Sequence, residues 1–179
     1  PTRDNAIGIL SRAVGKLFDQ PLPMQLNETT RTFFERLALV AGPAEAEVYR
    51  GILGDNPGSD VQERLRDINP SYYSIIRTSI VPTIIKGGYQ RNVIPSEAEA
   101  ILDIRALPGV SPESLFPQIA AIIDDPAVRI YPMEITRPEH LPTPLDTVLF
   151  RAFEDVLLAR HPQAIVLPSM LTGATDSAQ

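Results

Sequence analysis

Cysteine is absent from the chain, which excludes disulfides, thiolate metal sites and a cysteine nucleophile while leaving the compartment open. Histidine is almost as scarce, with only His140 and His161. No apolar run approaches the roughly 18 residues that a bilayer-spanning helix needs, so no membrane partner is expected. Apart from Lys16 and Lys86 the cations are scattered arginines, and the net charge of −6 with pI near 4.9 disfavours a nucleic-acid surface. The first residues, Pro1-Thr2-Arg3-Asp4-Asn5, resemble neither an initiator region nor a signal peptide, so the chain reads as cut from something longer. What remains is 179 residues with 44% hydrophobic content, enough for the core of a soluble globular domain.

From Asp4 to Phe18 the residues Ile7, Leu10, Val14, Leu17 and Phe18 recur at helical spacing, with Asp4 as the expected N-cap and Pro21 beyond the end. The segment from Pro23 to Pro70 lacks strand alternation and predicts a helical insertion. Its expected pieces are a helix at Phe33, Phe34, Leu37 and Val40, a second at Val48, Tyr49, Ile52 and Leu53, and a short third from Val61 to Ile68. The character then changes. Tyr73 to Lys86 is rich in Ile, Val, Thr and Tyr and leads through Gly87-Gly88 into a second strand, which predicts an antiparallel hairpin. In that second strand Ala98, Ala100, Leu102, Ile104 and Ala106 alternate with Glu97, Glu99, Ile101, Asp103 and Arg105, the pattern of a sheet covered on one side. Ser111-Pro112 predicts the start of a covering helix with Leu115, Ile119, Ile122 and Ile123 on its buried stripe, and Val128 to Thr136 predicts a further strand.

This order predicts an α+β fold, a two-layer sandwich with helices on one face of an antiparallel sheet. A ferredoxin-like topology requires one more strand before Asp4. Pro138, Pro142 and Pro144 mark a linker, so a domain is expected over residues 1–138, with its insertion at about 24–70. Residues 139–179 read as linker and part of a second domain. There Thr143-Pro144 is expected to start a helix burying Val148, Leu149, Phe153, Val156 and Leu157, and Ala164 to Leu167 a short strand.

Few constellations carry chemistry. The two histidines lie too far apart in sequence for a metal-binding pair, and His161 suits a helix C-terminus. Glu97 and Glu99 fall on one strand face about 7 Å apart, but nothing desolvates them to separate their acidities. Serine-hydrolase and phosphate-loop signatures are missing. From spacing alone, Asn92 is a hairpin residue and Arg105 a surface cation paired with Asp103, or the two are polar groups placed for a ligand.

The run Asn92-Val93-Ile94-Pro95, then Ala98-Glu99-Ala100 and Leu102-Asp103-Ile104-Arg105, resembles the lid or dimerisation domain of the zinc-dependent aminoacylase and carboxypeptidase metallopeptidases, peptidase family M-twenty. Pro1 to Ile7 resembles the start of that family's lid helix and Gly173-Ala174-Thr175-Asp176-Ser177 its return into the catalytic α/β domain. The long insertion resembles the larger lids of carboxypeptidase S-like and N-acyl-amino-acid hydrolase members.

The resemblance implies a ferredoxin-like lid, a homodimer, and, in the intact parent, zinc-assisted hydrolysis of a peptide or N-acyl-amino-acid amide. It assigns substrate contacts to Asn92 and Arg105, and to Gly173 and Thr175 beside the substrate carboxylate. It implies no catalytic or metal-ligating residue within this chain, and hence neither stoichiometric zinc nor amidase activity in the chain by itself. An arginine can clamp a carboxylate through two parallel hydrogen bonds, and an asparagine amide can donate to a carbonyl oxygen that gains negative charge. An extended strand from Asn92 to Arg105 spans roughly 43 Å, so the two are expected to serve different active sites of the dimer unless the chain bends near Pro95. The competing expectation is an α+β dimerisation or binding module without catalysis, which a His-x-Asp segment upstream would argue against.

Overall fold

A computed structural model describes residues 5–133 and 141–171. Its elements are α1 (Ala6–Asp19), α2 (Glu28–Val40), α3 (Pro43–Ile52), α4 (Ser59–Ile68), α5 (Pro70–Ser74), β1 (Ser79–Gly87), β2 (Ala98–Arg105), α6 (Pro112–Ile123) and α7 (Val148–Arg160). The chain divides into two compact units. One, the sheet unit, comprises Pro1–Pro23 with Thr78–His140; the other, the helical unit, comprises Met24–Arg77 with Leu141–Gln179. No helix among the described residues is long and apolar enough to cross a membrane.

In the sheet unit, α1 begins at Asn5, whose Oδ1 accepts from the Ile7 and Gly8 amides at 3.0 and 3.4 Å. The expected cap, Asp4, lies outside the described residues. The helix turns Ala13 and Leu17 inward, while Phe18, expected in the buried stripe, is exposed. β1 and β2 form an antiparallel pair with Ile80 opposite Ile104 and Pro82 opposite Leu102. A register shift between Pro82 and Ile84 leaves Thr83 as the extra residue, and such a bulge reverses which alternate residues of β1 face inward.

Ile80, Leu102 and Ile104 pack against a core of Ala13, Leu17, Leu22, Leu115, Ile119 and Ile123, so α1 and α6 cover the same sheet face. This is the α+β, ferredoxin-like two-layer arrangement. Ser111 caps α6, with Pro112 at its first turn, and Asp124 ends it in the left-handed region at φ 43°. The Lys16 ammonium donates to the Ile123 carbonyl at 2.5 Å, a cation on the last turn of α6 that suits the helix dipole. Over Val128–Met133 the expected strand does not form; the remainder of it lies outside the described residues. Val128 and Ile130 still pack on the core, but Pro132 has no amide to donate to a ladder.

In the helical unit, Asn27 and Thr30 cap α2 reciprocally: Asn27 Oδ1 accepts from the Thr30 amide at 2.9 Å and Thr30 Oγ1 from the Asn27 amide at 3.0 Å. The core gathers Phe33, Phe34, Ala46, Val48, Tyr49, Ile52, Leu65 and Ile76. Phe33 meets Phe34 and Tyr72 edge-on with ring centroids 5.2 and 5.1 Å apart, a geometry the ring quadrupoles favour. Tyr73 and Ser74, expected in the first strand, belong instead to α5, because Asn69 caps it through the Ser71 amide and Pro70 fixes its first turn.

The C-terminal part of this unit also departs from expectation. Its helix starts at Val148 rather than Thr143, since Thr147 Oγ1 caps the Phe150 amide at 3.2 Å. None of its residues is buried, and Val148 and Phe153 are 85% and 57% exposed. Ala164 to Leu167 forms no strand. It is held instead by Arg36, which donates to the Val166 carbonyl at 2.7 Å and pairs with Glu154 of α7 at 2.5 Å. Leu167 and Met170 pack on the aromatic core.

Candidate functional site

The sheet unit presents its polar residues on and around the β1–β2 hairpin. Two glycines shape the way out of β1. A Cβ at Gly87 would lie 2.9 Å from Ile7 Cγ1, so the close approach of hairpin and α1 requires glycine there. Gly88 adopts φ 74°, which turns the chain out of the strand at little steric cost. The connection then makes a turn over Gln90 to Val93, closed by the Val93 amide on the Gln90 carbonyl at 3.2 Å, with Arg91 and Asn92 at its corners. Both corner residues are exposed. Asn92 is therefore a turn residue held on a projecting tip, not part of a strand.

Arg105 ends β2, opposite Ser79. Its Nε donates to Asp103 Oδ2 at 3.2 Å, and both side chains are half-exposed on the sheet face turned away from α1 and α6. Along that outer face the register sets Arg105 and Asp103 at one end, Val81, Ile84 and Ile101 in the middle, and the Lys86–Glu99 pair, 3.3 Å apart, at the other. Asn92 lies beyond that second end. The eight residues of β2 alone span about 23 Å at the usual strand rise, so the structure sets Asn92 and Arg105 at opposite ends of the hairpin.

The other sequence candidates fall as follows. Gly173, Thr175 and His140 lie outside the described residues. His161 is the exposed C-cap of α7, Glu97 is exposed, and Glu99 is occupied with Lys86. Among the described residues no group of three or more His, Asp or Glu side chains converges on a point that could hold a metal ion. A shallow concavity of about 260 Å³ lies on the helical unit between α3 and α4, lined by Ala44, Glu45, Val48, Arg64, Asp67 and Ile68, and contains none of the candidates. Nearby, the Tyr49 phenol is pushed above its ordinary range by burial, reinforced by the charge of Glu45.

A sequence profile described as peptidase dimerisation domain matches residues 1–130. The chain belongs to that family. Among curated proteins it is 27% identical to a probable carboxypeptidase S-like protein of Dictyostelium discoideum, over 99% of this chain and 33% of that protein. It is 28% identical to the human N-fatty-acyl-amino acid synthase/hydrolase PM20D1, over 99% of this chain and 35% of that protein, and 26% identical to the bovine one, again over 99% and 35%. The chain thus spans about a third of the length of these relatives. No solved structure matches.

One feature of this dimerisation domain is not evident from sequence spacing. Tyr89, Val93 and Ile94 surround the Arg91-Asn92 corner and are exposed. The available signal was three large apolar residues inside a stretch bracketed by Gly88 and Pro95, where turn chemistry normally places small polar ones.

Proposed function

We propose that the parent of this chain is a zinc-dependent amidohydrolase or peptidase that cleaves peptide or N-acyl-amino-acid amide bonds, and that this part supplies substrate contacts and the homodimer interface. The observation that carries the reading is a member of the peptidase dimerisation family with an exposed asparagine at one end of a hairpin and an exposed arginine at the other. Arg105 grips the substrate carboxylate through paired hydrogen bonds, exchanging Asp103 for the stronger bidentate partner. Asn92 donates its amide to the scissile carbonyl oxygen, where negative charge grows during attack. One small substrate cannot reach both ends of one hairpin, so Asn92 serves the site of the partner subunit. Gly173 and Thr175 adjoin the carboxylate.

When bound, zinc supplies carbonyl polarisation and an activated water; its ligands and the proton-moving group belong to other parts of the parent. Residues 1–138 form the lid with its helical insertion, and 139–179 lead into the catalytic domain. The long insertion and the similarity to carboxypeptidase S-like and N-fatty-acyl-amino acid synthase/hydrolase proteins support a carboxypeptidase S-like or N-acyl-amino-acid hydrolase substrate range.

The test is hydrolysis of N-acyl amino acids and dipeptides by the full-length parent, with and without chelator, followed by subunit mixing. Asn92→Ala and Arg105→Ala homodimers should each be impaired, and mixing them should restore activity, because each heterodimer then holds one site with both residues intact. Failure to restore would place both residues in one subunit. A stable dimer without hydrolysis of any such substrate would favour the non-catalytic binding module.

A further inference from the structure

The hairpin tip combines two chemistries. Its corner is polar, Arg91-Asn92, and its shoulders are apolar, with Tyr89, Ile94 and Val93 exposed to 83%, 57% and 37%. Its base lies beside the start of α1: a Cβ at Gly88 would be 3.7 Å from Ile7 Cδ1 and 3.8 Å from Pro95 Cγ. The turn hydrogen bond from Val93 to Gln90 fixes the corner between the shoulders. Such a corner pairs a polar group with hydrocarbon on both sides. It is complementary to an amide group that carries hydrocarbon.

We infer that the tip is the acyl-chain contact of the site that Asn92 enters, with Tyr89, Val93 and Ile94 covering the hydrocarbon of an N-acyl amino acid and thereby setting acyl-length preference. The inference rests on the proposed role of Asn92. The carbonyl carbon that Asn92 addresses bears the acyl chain directly, so side chains one to three positions from Asn92 are within reach of its first carbons. The carboxylate half of the substrate is assigned to an Arg105, which the fold keeps at the far end of each hairpin. That leaves the acyl half to the tip. A second copy of the chain covering the shoulders instead is the outcome that the dimer measurement below would reveal.

The experiment compares acetyl and long-chain saturated acyl derivatives of one amino acid as substrates of the full-length dimer. Tyr89→Ser and Ile94→Asn should each lower the long-chain to acetyl ratio of kcat/KM by about tenfold, and Ile94→Leu should keep it. Phe18→Ser, which removes an exposed ring elsewhere in the same unit, should leave the ratio at the wild-type value. An unmoved ratio in both tip variants, an equal fall for both substrates, or dissociation of the dimer by the tip changes would each overturn the inference. If the parent cleaves the acetyl substrate but the ratio does not move, the inference alone fails. If it cleaves no N-acyl amino acid, the proposed function fails and the inference with it.

Discussion

The two units bury different kinds of core and expose different kinds of surface. The helical unit closes on aromatic rings, Phe33, Phe34, Tyr49 and Tyr72, and buries an arginine: Arg77 stacks on the Tyr73 ring at 4.9 Å and hydrogen-bonds Gln62. The buried core of the sheet unit is aliphatic, Ala13 with Leu and Ile, and charged residues such as Asp103, Arg105, Lys86 and Glu99 lie on its outer sheet face. A core of edge-on aromatic rings favours one rigid arrangement. An aliphatic core under a one-sided sheet leaves a whole face free for recognition. The difference teaches that in this chain rigidity and candidate chemistry are assigned to separate elements.

The sharpest way to break that division is to truncate the aromatic core. Phe34→Ala should destabilise the helical unit by about 4 kcal/mol, because a fully buried ring leaves a cavity its edge-on neighbours cannot fill; chemical denaturation followed by tyrosine signal measures it. At the hairpin the expectation reverses. Asn92→Ala should leave the denaturation midpoint unchanged and lower kcat/KM of the parent about a hundredfold, and a loss of stability without loss of turnover would return Asn92 to a mere turn residue. Smaller effects follow at single tethers. Arg36→Ala removes the bonds to Glu154 and the Val166 carbonyl and should cost about 1–2 kcal/mol, visible as faster amide exchange in residues 148–167. Ser111→Ala should cost about 1 kcal/mol of sheet-unit stability through the lost α6 cap.

The smallest effect is one of pH. Burial and the charge of Glu45 raise the Tyr49 pKa, so the folded state favours the neutral phenol. Stability from this group is complete below the unfolded-state value of about 10 and declines as pH rises through the folded-state value. Tyr49→Phe should flatten that alkaline decline, and an unchanged slope would assign it to other groups.

Much of the fold was legible because its signals are local. Ser111-Pro112 and the spacing of Leu115, Ile119 and Ile123 announce α6, and the alternation in β2 announces which face is covered. The errors fall where one residue competes with a pattern. Tyr73 has strand preference, yet the Asn69 cap and Pro70 draw it into α5. Val128 and Ile130 alternate like a strand but find no ladder beside Pro132. Val148 and Phe153 have the spacing of a buried stripe, but spacing does not say whether a covering surface is present. Asn92 and Arg105 were visible in the candidate site from their run, whereas the shoulder residues of the tip were not. Only the turn at Gln90 to Val93 brings those around Asn92.

By itself the sequence determined the secondary-structure vocabulary, the one-sided sheet and the family, because caps, prolines and hydrophobic period act within a few residues of themselves. Tertiary structure decided the bulge at Thr83, the association of Leu141–Gln179 with the helical unit and the opposite placement of Asn92 and Arg105. Those depend on pairing and packing between residues distant in the chain, and nothing in a residue's own neighbourhood records which partner it will meet.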